Sequence, residues 1–464
     1  MIFSYLKIIL AILILWPRGY LLAYLIDRSK SFGFGFKFFV GWLLGIAGFT
    51  LDVFAANVFG HQPLTWWVFL GSSVTQIFGF GFMIFIAEKK LPWPNSKHFI
   101  PWLKVQRQNF KSWDLLTKSA FGFLVLTLII RVGASLWQIT YIPTYDFDAW
   151  NNWNLRAKVI YTQAAVPLDS NQNFYLGGGI KSYPLNDSIF KVWLAFAAGD
   201  FVDRFVNLAS LIYYLLLLAI FYFSVPKNVN RLFKIIATYA LSSLPLLYFH
   251  SHVPYADLLF SIFLFLTVIS IFYFLAGLGN SYFYLSGIAL AFSIWTKNEG
   301  LSIIFPVMVF SSLYLLIIKK LRFKDWFWHW FFAALTIFPW LAFRFLNRLD
   351  ILSGDSSTFN LVFNSQFISE VLSSIFLRSH FNFLWLAVFM LIIFGGNNLK
   401  RSLSLQYLTG LLAVIFFSYN GIIIFTDKAY DLSALARINM QLTPLAVALI
   451  MFYFHKFFAK IKLS

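Results

Sequence analysis

The chain is predicted to be an all-α polytopic membrane protein with about thirteen transmembrane helices and a large outer-face loop carrying interfacial helices. Three observations predict it. Of 464 residues, 60% are hydrophobic and 12% charged, with mean hydropathy +0.75, whereas a soluble domain is roughly a quarter charged. Apolar runs recur along the whole sequence. The links between them alternate between basic and non-basic.

A spanning helix needs about 20 mainly apolar residues. The first run, 4–26, contains Arg18 and has no small-residue cleavage site, so it is expected to be a retained helix, not a signal peptide. Runs 36–60 and 65–87 follow, joined by a link without Lys or Arg. Residues 88–115 carry Lys89, Lys90, Lys97, Lys104, Arg107 and Lys111 among prolines and aromatics, as expected of a cytoplasmic surface-lying segment. This segment separates three leading helices (1–115) from the remainder (116–464). Run 116–138 then opens onto the long link 139–202. The later runs are 203–224, 232–250, 256–276, 282–296, 299–318, 326–346, 380–394, 404–425 and 439–457.

Lys and Arg total 36 against 18 Asp and Glu, a net charge of +18. On a soluble protein this excess would suggest nucleic acid as a partner. Here the basic clusters Lys227-Arg231-Lys234, Lys319-Lys320-Arg322-Lys324, Lys400-Arg401 and Lys456-Lys460-Lys462 share one side if all thirteen runs cross. That side is cytoplasmic by the positive-inside rule, which gives an N-out, C-in topology in the plasma (inner) membrane with 139–202 outside. No nucleic-acid partner is expected. The absence of Cys excludes disulfides, thiolate catalysis and Cys-ligated metal sites.

Chemistry-bearing residues collect in the outer links. Tyr145-Asp146-Phe147-Asp148-Ala149-Trp150 places two carboxylates in an aromatic, interfacial setting. Either Asp can serve as a general base. Asp148 can instead cap the helix expected over 149–161, whose Trp150, Trp153, Ala157 and Ile160 share a face. The Asp-x-Asp spacing also permits a divalent metal. Farther along lie Gly177-Gly178-Gly179, without the phosphate-loop pattern, then Lys181, Tyr183-Pro184-Leu185 and Asp187. His250, His252 and Asp257 suit either zinc ligation or a wet helix start. Lys297 and Glu299 interrupt two apolar runs, as a mutual pair or as functional groups at membrane depth. Asp427, Lys428 and Asp431 precede Arg437, which enters the last run without an acidic neighbour on an adjacent turn. A lipid phosphate would suit its guanidinium.

Together, Asp148-Ala149-Trp150, Trp153, Arg156-Ala157-Lys158, Tyr183-Pro184-Leu185, Lys297-Asn298-Glu299-Gly300 and Arg437 resemble bacterial integral-membrane glycosyltransferases of the GT-C superfamily, relatives of the protein O-mannosyltransferases and the lipid A aminoarabinose transferases. The resemblance covers roughly 116–457. It implies a GT-C-like fold and transfer of a sugar from a polyprenyl-phosphate donor to a glycan, lipid or protein acceptor on the outer side. By position Asp148 matches the catalytic Asp, with Asp146 as its rival. Arg437, Lys297 and Lys158 are expected at the donor phosphate, and Tyr183, Trp150, Glu299, Asp257 and His252 at the substrates. Two departures stand out. Three helices precede the usual first one, and Lys181-Ser182 occupies the place where relatives carry a His before Tyr-Pro-Leu.

The expected reaction is a single inverting displacement that requires no cofactor; a divalent metal is compatible but not needed. Two rivals are a lipid-linked-sugar flippase, which predicts charges near the bilayer midplane, and a polysaccharide polymerase or ligase, which predicts Arg- and His-rich outer loops. The gathering of charges at one face favours the transferase.

Overall fold

The computed structural model describes residues 2–89, 96–167, 182–226, 228–349, 360–396, 402–426 and 432–461. Gly177 to Gly179, Lys181, Asp427, Lys428 and Asp431 lie outside the described residues. The chain is all-α: α1 (Ile2–Ile26), α2 (Phe34–Val58), α3 (Trp66–Glu88), α4 (Ser96–Lys111), α5 (Leu115–Tyr141), α6 (Asn154–Gln163), α7 (Asn186–Ala198), α8 (Asp203–Val206), α9 (Leu208–Ser224), α10 (Arg231–Ser242), α11 (Pro245–Phe249), α12 (Asp257–Leu275), α13 (Asn280–Ile294), α14 (Phe305–Ile317), α15 (Phe323–Leu346), α16 (Gln366–Leu372), α17 (Leu384–Phe394), α18 (Leu403–Phe425), α19 (Leu432–Gln441) and α20 (Thr443–Ile461). Among the described residues the β-structure is one isolated bridge, Leu361 to Thr426.

Nine helical segments among the described residues are long and apolar enough to cross a membrane, or ten if the bent pair Ala434–Gln441 and Thr443–His455 is one span. The expected thirteen are therefore not reached by single long helices. Run 232–250 is divided by the break before Pro245, a residue that begins a helix well but removes a backbone hydrogen bond when it lies inside one. Runs 282–296 and 380–394 form helices of 15 and 11 residues.

The links nevertheless sort into two ends. At one, Ser29 and Ser281 share a 2.6 Å hydroxyl contact, Tyr284 donates to Asp325 at 2.7 Å, and Arg231 lies 5.9 Å over the Trp113 ring. At the other, the Leu64 N–H donates to Ala164 O at 2.6 Å, Leu246 to His380 O at 3.2 Å, and Asn298 to the Ser182 hydroxyl at 3.0 Å. These are the two groups of links that charge alternation separates. The carboxylate-rich links share the second end.

Close backbone approach and polar contacts hold the leading helices in place, as expected where lipid removes the hydrophobic drive between helices. Gly19 allows α1 to touch α2: a Cβ there would lie 1.9 Å from Gly41 O. Trp193 of α7 stacks on Trp66 and Phe69 of α3 at centroid distances of 4.6 and 5.5 Å, and its indole N–H donates to Ala11 O at 3.1 Å. One polar cluster departs from the expectation that charges gather at one face. Buried Arg18 of α1 pairs with Asp52 of α2, and both bond Gln76 of α3, all within segments apolar enough to cross. At the centre, α12 is buried on every side, as its uniformly apolar composition requires.

Candidate active site

A cavity of about 200 Å³ opens at the carboxylate-rich end, lined by Asp148, Trp153, Tyr183, Lys297, Glu299 and Arg437 together with Phe147, Asn151, Asn152, Ala434 and Ile438. Four segments distant in sequence supply these groups.

Local backbone geometry aims the two cavity carboxylates. Asp148 precedes a π-helical turn, Ala149–Trp153, and Glu299 precedes another, Gly300–Ile304. Such turns widen the helix by one residue and recur at functional sites. The extra residue also rotates what comes before it. Trp153, Ala157 and Ile160 are buried together as the spacing predicts, whereas Trp150 is turned out and 50% exposed. Asp148 makes no side-chain cap bond. Its carboxylate instead accepts from Arg437 Nη1 at 2.5 Å.

Arg437 thus has a carboxylate partner, 289 residues away, that helical spacing could not show. Its guanidinium also lies 4.9 Å over the Tyr255 ring. Lys297 is held twice, at 2.9 Å from both Asp257 Oδ1 and Glu299 Oε1. Burial opposes its charge, yet these carboxylates hold its ammonium above the usual lysine range. Gln441 adds a second donor to Asp257 Oδ1 at 2.8 Å. Asp257 therefore stands behind the cavity wall as support. Burial, and next the Glu299 charge, push the Tyr183 phenol up to about 12, so it remains a hydrogen-bond donor.

The other expected site residues are not brought to this cavity. Asp146 and His252 line a separate space of about 20 Å³, room for roughly one water, with Gln138, Thr144 and Asn207. Burial, joined by the Asp148 charge, raises the Asp146 carboxyl. Lys158 is exposed on α6. His252 lines this small space, whereas His250 is buried beside the Asp257 and Arg437 charges. Among the described residues no three His, Asp or Glu side chains are grouped to hold a metal ion.

A second tier of residues supports the site; sequence reading names Arg156, Asn298 and Asp187 among them but not Arg344, Lys191, Thr50 or Asn186. Arg344 of α15 donates to Ser182 O at 3.0 Å and to Asn298 Oδ1 at 2.8 Å, and Arg156 donates to Tyr183 O at 2.5 Å. Two buried guanidiniums thereby hold consecutive carbonyls where the long link returns. Lys191, paired with Asp187 at 2.6 Å, donates to Pro254 O at 2.8 Å, next to the Tyr255 that underlies Arg437. Thr50 of α2 bonds Asn186 at 2.6 Å, and Asn186 bonds Thr296 at 2.9 Å, tying a leading helix to the corner that carries Lys297. Arg344 left one legible signal, a basic residue at the non-basic end of its run.

The chain matches no protein-family model, no curated protein and no solved structure.

Proposed function

We propose that the protein is a membrane glycosyltransferase that moves a sugar from a polyprenyl-phosphate donor to an acceptor hydroxyl on the outer side of the plasma (inner) membrane, with a GT-C-like arrangement. The observation that carries this reading is one cavity at the carboxylate-rich membrane end that combines Asp148, accessible to water, with the cations Arg437 and Lys297 and the apolar walls Ala434, Ile438 and Trp153. A lipid-phosphate sugar needs these three things: a base, cations for the leaving phosphate, and an apolar entrance.

The acceptor oxygen attacks the anomeric carbon, and the bond from that carbon to the phosphate oxygen breaks. Asp148 takes the acceptor proton. The electron pair leaves with the polyprenyl phosphate, which becomes a monoester dianion, and Arg437 stabilises the added charge. One displacement inverts the anomeric centre. Tyr183 and Glu299 are placed to orient the sugar.

Mass spectrometry of lipids co-purifying with the protein tests the substrate class. Polyprenyl phosphates or their sugar derivatives are expected; bulk phospholipids alone, together with no transfer from such donors in reconstituted membranes, overturn the reading. A second reading, a lipid-linked-sugar transporter, is favoured by the Arg18–Asp52 pair within α1 and α2. Movement of a labelled donor across sealed vesicles without chemical change would select it.

A further inference from the structure

We infer that Asp148 and the donor phosphate compete for the Arg437 guanidinium, so that the base is masked in the empty site and the donor must bind before the acceptor. The inference rests on the transferase reading of the cavity and adds to it an order of events and a cause for that order.

The geometry separates a fixed partner from a releasable one. The Arg437 side chain is 14% exposed and that of Asp148 36%. Arg437 is supported from beneath by Tyr255. Its helix, α19, is anchored by paired amide bonds between Asn439 and Asn420 at 3.1 Å, and by Gln441 bonds to Asp257 at 2.8 Å and Tyr419 at 3.0 Å. Asp148 has no comparable anchor: its described bond is to Arg437, and it stands at the mouth of a π-turn. When a stronger anion arrives, the carboxylate is the group that can move.

A phosphate is that anion, because its oxygens match the guanidinium fork at two points. While paired with Arg437, Asp148 Oδ2 is engaged by the guanidinium and is not open to an acceptor hydroxyl. Loss of the guanidinium to the phosphate frees that oxygen to take the acceptor proton in the same cavity, beside the developing reaction. Lys297 adds positive charge to the same cavity, but its ammonium has no fork to match the phosphate and is held by Asp257 and Glu299, so Arg437 is the contested cation. An acceptor that enters first meets a carboxylate already engaged by Arg437.

The test is binding of farnesyl phosphate to the purified full chain in lipid discs, for wild type, Asp148→Asn, Arg437→Gln and the double variant. Asp148→Asn is expected to bind about three- to tenfold more tightly than wild type, a range typical of removing one competing charge pair. In the Arg437→Gln background the same substitution should change affinity by less than about twofold. Asp146→Asn, on the neighbouring cavity, should leave affinity near wild type. Equal tightening with and without Arg437 would reduce the effect to general repulsion and overturn the competition while leaving the donor reading intact. Unchanged or weaker binding in Asp148→Asn would do the same. No binding by any of the proteins would overturn the donor reading and the inference together.

Discussion

Lys297 and Asp257, 40 residues apart in the chain, form a buried ion pair with Nζ 2.9 Å from Oδ1. Their side chains are 6% and 0% exposed. Glu299 holds the same ammonium from the cavity side at 2.9 Å, so one cation serves one hidden and one accessible carboxylate. The pair fixes the corner after α13 to the start of α12 and thereby sets one wall of the cavity.

Lys297→Met leaves Asp257 buried without its counter-charge. A loss of about 3–5 kcal/mol is expected, as for other broken buried pairs. The double variant with Asp257→Asn should lose less than Lys297→Met alone. Unfolding of purified variants in lipid discs provides the comparison, and additive losses would show that the two residues are not coupled.

Asp148→Asn should lower turnover by roughly 10²–10⁴-fold, the range for loss of a general base. Asp146→Asn should cost much less, because Asp146 faces the other cavity. Steady-state transfer with a polyprenyl-phosphate sugar in reconstituted membranes measures both, and full activity in Asp148→Asn would remove it as the base.

Arg437→Lys keeps the charge but loses the fork and the planar contact with Tyr255. Loss of one charge-assisted hydrogen bond, about 1.5–3 kcal/mol, corresponds to donor binding weakened roughly tenfold or more. Donor titration at saturating acceptor would show it, and an apparent affinity equal to wild type would exclude Arg437 from phosphate contact.

Orientation is open to direct chemical labelling because the chain has no Cys of its own. A single Cys at exposed Gln163 should react with an impermeant reagent in intact cells, and one at exposed Gln106 should not. The opposite pattern would invert the topology.

Burial pushes the His250 imidazole down from 6.5 to about 4. The unfolded chain therefore takes up this proton below about pH 6.5, and the folded chain only below about 4. Stability is full above that window and falls as pH drops through it, by about 2 kcal/mol at about pH 5 for one such group. His250→Asn should flatten this part of the pH profile of unfolding; an unchanged slope would assign it to other groups.

Composition and charge alternation by themselves determined the all-α membrane class and the grouping of the links at two ends, since both follow from local rules: apolar length and the side on which Lys and Arg accumulate. Charge and apolar context marked Asp148, Lys297, Glu299 and Arg437 as residues of the outer links; the resemblance grouped them with Tyr183, Asp146, Lys158, Trp150, Asp257 and His252, and of these ten the first five line one cavity. Helical periodicity foresaw the buried face of Trp153, Ala157 and Ile160 but placed Trp150 there as well, because a π-turn has no periodic signature. The partners were decided only by the tertiary structure. Arg437 meets Asp148 across 289 residues, Lys297 meets Asp257 across 40, and Arg344 reaches the carbonyl of Ser182. No local pattern encodes these pairs, for they depend on which helix ends the packing of α12, α15 and α19 brings together. The division of Asp146 from Asp148 into different cavities has the same origin: two residues apart in sequence, they are separated by the direction in which one turn of backbone points each carboxylate.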